Sequence, residues 1–138
     1  SQFTAKPHVF VSRSNPLAKK KLVLRNDLLE FPRLSYDQGI NNSFYFSEEL
    51  HSTDESPKSI VVSDRATLFN LLIGLNGYTI SSGILSSDLN GTDIVSIPLE
   101  SDEEMDIGYI YTLQRPLSEI AQSYIEHLRK YIENYQKK

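Results

Sequence analysis

The sequence predicts an α/β fold, and three observations predict it. Short runs rich in β-branched and aromatic residues alternate with segments of helical spacing along the chain. The stretch from Ser59 to Leu85 reads as strand, helix and strand joined by tight connections, the pattern of a parallel crossover. Near its end the chain carries a long segment, Leu117 to Tyr135, whose apolar residues fall on one helical stripe.

Taken in order, His8 to Ser12 is apolar and β-rich, a strand. Asn15 and Pro16 mark a turn, because proline fixes its own φ and keeps its predecessor out of the helical region. A short strand is expected at Leu22 to Leu24, followed by Asn26 as the cap of one helical turn over Asp27 to Phe31. Arg33 to Asp37 is extended and Gly39 breaks it. Asn41, Asn42 and Ser43 then offer caps for a helical stretch over Phe44 to Leu50. Ser59 to Ser63 is a strand of the buried type, with Ser63 and Asp64 as cap candidates for the next helix. Leu68, Leu71, Leu72 and Leu75 recur at helical spacing until Asn76 and Gly77 stop that helix, and Tyr78 to Leu85 returns as a strand. Asn90 and Gly91 turn the chain into a strand over Ile94 to Leu99, and Ile107 to Leu113 is a further β-rich run. Leu117, Ile120, Ala121, Tyr124, Leu128, Tyr131 and Tyr135 make the stripe of the closing helix, whose spacing suits packing rather than an aromatic binding face.

Composition narrows the function. At 138 residues the chain is long enough to bury a core, and 39% apolar with 23% charged residues is globular rather than disordered. No apolar run suits a membrane helix, and the first residues lack the apolar stretch of a signal peptide. The sequence has no cysteine, so no disulfide framework or thiolate metal site is expected, and a reducing cytoplasm is the expected location. A net charge of −4 speaks against a phosphate-gripping surface spread over the chain. The basic run Lys19 to Lys21 and the acidic group Glu100, Asp102, Glu103, Glu104 and Asp106 read as solvated loops.

No catalytic constellation is evident. His8, His51 and His127 lie far apart with no ligand-spaced neighbour, so no metal site is expected. Ser81, Ser82 and Gly83 lack the first glycine of a nucleophile elbow, and no phosphate-cradling or dinucleotide loop is present, so no cofactor is expected. The acidic loop has neither the spacing nor the glycine of a calcium site. Asn41-Asn42-Ser43 and Asn90-Gly91-Thr92 match the glycosylation pattern, but without a secretion signal. Asp37 and Asp64 are the right types for an acid and a base, but nothing in the sequence brings them together. Recognition has one better candidate: the segment Gln38, Gly39, Ile40, Asn41, Asn42 and Ser43. It runs from the carboxyl end of a strand into a helix start, where ligands collect on open α/β sheets and free backbone N–H groups favour anions. The same asparagines and serine would also serve as ordinary caps. Ser63, Asp64 and Arg65, at the next helix start, have similar geometry with weaker cues.

Several stretches together resemble the effector domain of bacterial LysR-type transcriptional regulators. His8 to Ala18 is similar to that family's strand and His-Pro-Leu-Ala turn, with Asn15 in place of the histidine. Leu24 to Leu29 resembles its short helix, and Ile60 to Leu85 its glycine-bearing strand–helix–strand unit. Here the glycines are thinned to Gly74, Gly77 and Gly83, and the closing proline is absent near Leu85 to Ser87. Asp93 to Leu99 and Ile107 to Ile125 resemble the later strands and last helix, with Arg115, Pro116, Leu117 and Ser118 matching closely.

The resemblance implies a periplasmic-binding-protein-like (type 2) effector domain with a central, mostly parallel sheet flanked by helices. Residues 7–105 would be its second lobe, and 106–138 a crossover strand and C-terminal helix belonging to the first. The rest of the first lobe and the DNA-binding headpiece would lie outside this chain. It also implies a non-enzymatic sensor that holds a small polar or anionic effector in an interlobe cleft, with Gln38 to Ser43 as one wall. DNA would be met only through the headpiece and no membrane would be involved. The closing helix, parted from its usual cover, would drive self-association to a dimer or tetramer. Two other readings stand beside this one: the solute-binding lobe of a transport protein, and a small α/β enzyme.

Overall fold

A computed structural model describes residues 3–37, 58–85 and 90–137. The chain divides into two compact units, Ala5–Met105 and Ser1–Thr4 with Asp106–Lys138. The strands are β1 (Phe3–Ala5), β2 (His8–Ser12), β3 (Arg33–Tyr36), β4 (Ser59–Val62), β5 (Tyr78–Ser81), β6 (Ile94–Pro98) and β7 (Met105–Ile107), and the helices are α1 (Arg65–Gly74) and α2 (Glu119–Gln136). Both places where the chain passes from one unit to the other, after Thr4 and after Met105, fall in the paired strands β1 and β7.

Residues 5–105 build a five-stranded sheet in the order β4-β3-β5-β2-β6. Strand β3 is parallel to β4 and β5, whereas β2 is antiparallel to β5 and β6. Four strands therefore point one way and β2 runs against them, so the sheet is mixed. Side chains alternate along each strand and reach two separate cores. On one face Phe10, Leu34, Val62 and Ile94 meet Leu68 and Leu72 of α1. On the other, Val9, Val11, Ile80 and Ile97 meet Leu17, Val23 and Leu28. Cover on both faces explains why β2 is apolar at successive positions instead of alternating with polar residues.

Local chemistry sets the connections. Asn15 is buried; its side chain accepts the Leu17 N–H at 2.9 Å and donates to the Asn76 carbonyl at 3.3 Å. It thereby caps the 3-10 turn Pro16–Lys19 and pins the turn that ends α1. The expected strand at Leu22 to Leu24 is reduced to a single bridge, Val23 to Leu99, beside β6. The next helical turn is a 3-10 turn over Arg25–Leu28 rather than Asp27 to Phe31; its N-cap is Leu24, not Asn26, and Asp27 inside the turn bonds back to it. Asp27 accepts the Leu24 N–H at 2.9 Å and pairs with Lys20 at 3.0 Å. Among the described residues strand β4 is an edge strand, with Val61 61% exposed, and not a buried one. At the α1 terminus Asn76 takes the left-handed conformation (φ 53°), while Gly77 is needed for space: a Cβ there would meet Leu34 and the Pro32 carbonyl at 3.0 Å.

The second unit is thinner. Ser118 caps α2 by accepting the Ala121 N–H at 3.1 Å, which gives the Arg115–Ser118 motif a structural role. The expected strand over Ile107 to Leu113 is confined to β7; Ile110 and Leu113 beyond it are 100% and 93% exposed. The inward face of α2 overlaps the predicted stripe in part, with Ala121 and Tyr135 half-buried. Ile132 is buried and Ile125 half-buried, whereas Ile120 and Tyr124 are 83% and 66% exposed. A cavity of about 230 Å³ lies in this unit, lined by Phe3, Tyr109, Tyr124, Ile125, Leu128 and Ile132 among others.

Candidate functional site

The topology points to one edge of the sheet. From β3 the chain goes to β4 on one side, and from β5 it goes towards β6 on the other. The carboxyl ends of β3 and β5 therefore flank the point where the connections reverse, the position at which open α/β sheets gather ligands. At this edge stand Asp37 after β3, Ser63 and Asp64 after β4, and Ser82 and Gly83 after β5. The pairing of His8 with Ser81 and with Pro98 brings the start of β2 to the same edge.

Each strand end is fixed by its neighbours. The Asp37 N–H donates to the Val62 carbonyl at 2.9 Å and extends the β3–β4 pairing by one residue. Gly83 (φ +85°) lies against the His8 ring, where a Cβ would come within 2.5 Å. His8 Nδ1 is held 2.8 Å from the Lys6 carbonyl oxygen. Asp64 Oδ1 accepts the Thr67 N–H at 2.8 Å and Oδ2 the Thr67 hydroxyl at 2.7 Å. Those bonds, the backbone one first, hold the Asp64 carboxyl below its ordinary value.

The sequence candidates fare differently. Gln38, Gly39, Ile40, Asn41, Asn42 and Ser43 lie outside the described residues, as do the helical stretch expected over Phe44 to Leu50 and His51. The second candidate, the start of α1, is already occupied by its own anion: the Asp64 carboxylate takes the amide that an external anion would use. Asp37 and Asp64 come after neighbouring strands, but Asp64 is committed to Thr67. Among the described residues no three His, Asp or Glu side chains gather as a metal site. No helix among them is long and apolar enough to cross a membrane.

One arrangement is not foreseeable from the sequence. The Arg65 guanidinium sits over two rings, 5.9 Å from the centre of Tyr36, the last residue of β3, and 5.6 Å from that of Phe69. These are cation–π distances. The Arg65–Phe69 spacing of four is legible in the sequence; the approach to Tyr36 depends on the β3–β4 register, which pairs Tyr36 with Val62.

No family model and no curated protein matches the sequence. Solved structures do match. HinK, a LysR family transcriptional regulator from Pseudomonas aeruginosa, superposes with a TM-score of 0.61 at 15% identity, over 93% of this chain and 45% of its own. The effector-binding domain of QuiR, in complex with shikimate, gives 0.56 at 13% identity, over 93% of this chain and 61% of its own. The BenM effector-binding domain, with its effector benzoate, gives 0.55 at 17% identity, over 99% and 63% respectively. The chain therefore has the periplasmic-binding-protein-like fold of LysR-type effector-binding domains, and it spans about half the length of HinK and under two thirds of the two isolated domains.

Proposed function

We propose that this chain is the greater part of the effector-sensing domain of a bacterial LysR-type transcriptional regulator, a ligand sensor and not an enzyme. In this reading residues 7–105 are the second lobe. Residues 106–138 supply a crossover strand and terminal helix to the first lobe. The observation that carries the reading is the fold likeness, which spans nearly the whole chain, together with the reversal of connections between β3 and β5.

The segment Gln38 to Ser43 leaves β3 at that edge and forms one wall of the effector site; its amide and hydroxyl side chains and backbone N–H groups suit a small polar or anionic molecule. Two of the similar domains hold carboxylic acids, shikimate and benzoate, which sets the first compounds to test. Effector binding shifts an equilibrium between arrangements of the regulator's subunits, and DNA is engaged through a headpiece outside these residues. The protein works in the cytoplasm as a dimer or tetramer, with the exposed apolar flank of α2 among the surfaces available for association.

The test is an amide NMR titration of the chain with small carboxylates, amino acids and inorganic anions. Shifts gathered at Asp37 to Ser43 and at Ser82 and Gly83 are expected. Saturable shifts centred elsewhere would move the site, and a complete absence of binding would remove the sensor reading.

A further inference from the structure

We propose that Arg65 gives this effector site its charge preference, acting as the residue that receives the carboxylate of a small organic acid. The proposal rests on the sensor reading above and names a residue and a ligand class for it. Three features of the described residues carry it. First, the guanidinium is held in place. It lies over the rings of Tyr36 and Phe69, and both rings pack against the core that contains Leu34, Leu68 and Leu72. A long side chain that would otherwise sample many rotamers is thus restrained before any ligand arrives, which lowers the cost of binding.

Second, a cation–π contact does not use up the hydrogen-bonding capacity of a guanidinium, whose N–H groups can still donate to a planar acceptor such as a carboxylate. Among the described residues Arg65 makes no ion pair: the adjacent carboxylate, Asp64, is turned to the backbone and hydroxyl of Thr67. Third, the place is right. Tyr36 ends β3 and Asp37 comes next, so the cation is fixed beside the strand end at the reversal of connections. Asp64 takes the Thr67 amide of the α1 start for itself, so the Arg65 side chain, and not that amide, is the donor offered to an anion beside Tyr36.

The experiment uses the 138-residue chain labelled with nitrogen-15, titrated at constant ionic strength with benzoate and separately with its neutral amide, benzamide. Benzoate is expected to move the Arg65 Nε–Hε cross-peak together with the Tyr36 and Asp37 amides, and benzamide to leave the Nε–Hε peak in place. R65Q is expected to weaken benzoate binding about ten-fold, the scale of one exposed charge-assisted bond, and R65K to weaken it less. F69L keeps the charge but removes one of the rings, and is expected to fall between the wild type and R65Q. Arg65 is exposed, and an unchanged amide spectrum for R65Q verifies the fold. If benzoate binds R65Q as tightly as the wild type, or benzamide matches benzoate, the Arg65 proposal fails while the sensor reading stands. If neither compound shifts any resonance, both fall.

Discussion

The two units differ in how completely they are packed. Residues 5–105 bury apolar side chains on both faces of a sheet, with Leu34, Leu72, Val9 and Val11 inaccessible to solvent. Among the described residues from 106 onward, Ile132 is the one apolar side chain that is buried, and a row of others is open to solvent. A helix of 18 residues with a strongly one-sided pattern can thus form and still lack most of its cover. Amphipathic pattern specifies that a face will be buried, not what buries it. The lesson for function is that the candidate site rests on the well-packed unit, where strand ends are fixed from several sides.

That contrast can be broken by substitution. Leu34→Ala removes a fully buried side chain between β3 and α1 and is expected to cost about 3 kcal/mol, read as a lowered urea midpoint. Tyr124→Ala on α2 removes more atoms but from an exposed position, and should change the stability by less than about 0.5 kcal/mol. Equal effects at the two positions would mean that α2 is as deeply packed in solution as the sheet.

Between those extremes lie two probes of the site's own edge and of its supporting turn. Gly83→Ala forces a Cβ against the His8 ring at a backbone angle that side chains rarely adopt, and is expected to cost about 2 kcal/mol. His8→Ala in the same chain should recover the steric part but not the backbone part, which a double-mutant cycle separates. Asn15→Ala leaves the Leu17 amide without its acceptor and the Asn76 carbonyl without its donor, at an expected cost of about 1 kcal/mol. Hydrogen exchange should then rise at Leu17 and around the end of α1 together. A rise at Leu17 alone would show that the bond across to Asn76 carries no weight.

Much of this fold was legible in the residues. β2, β3, α1 and β6 fall where β-rich runs, leucine spacing and the Asn76–Gly77 stop place them, and β5 begins at Tyr78 as expected but ends at Ser81 rather than Leu85. What failed shares a cause. The edge position of β4, the shift of the 3-10 turn to Arg25–Leu28 and the end of β7 at Ile107 each depend on which neighbour lies alongside, and a local pattern does not carry that information. The same holds in part for α2, where Ala121 and Tyr135 of the predicted stripe are half-buried, but Ile120 and Tyr124 are exposed and Ile125 and Ile132 join the covered line. In the site, the cap at Asp64 was legible as a candidate and the structure places it there, whereas the meeting of Arg65 with Tyr36 arises from strand register.

The smallest expected effect concerns pH, and it bears on where anions can go. Bonds from Thr67 favour the ionised form of Asp64, so its folded value lies below the ordinary 3.8. A depressed acid contributes stability above the unfolded value, and that contribution is lost as the pH falls through the folded one. Asp27, lowered by the Leu24 amide and then by Lys20, acts in the same direction and the same acid window. Asp64 is exposed and Asp27 only half-buried, so solvent screens them and the loss should be modest. The midpoint of urea unfolding should therefore fall as the pH drops below about 4, with a shallower fall in D64N, where the amide oxygen can still cap α1 but does not titrate. If D64N tracks the wild-type curve, the Asp64 carboxylate is not holding the α1 amides in solution, and the start of that helix returns as an anion site in competition with Arg65.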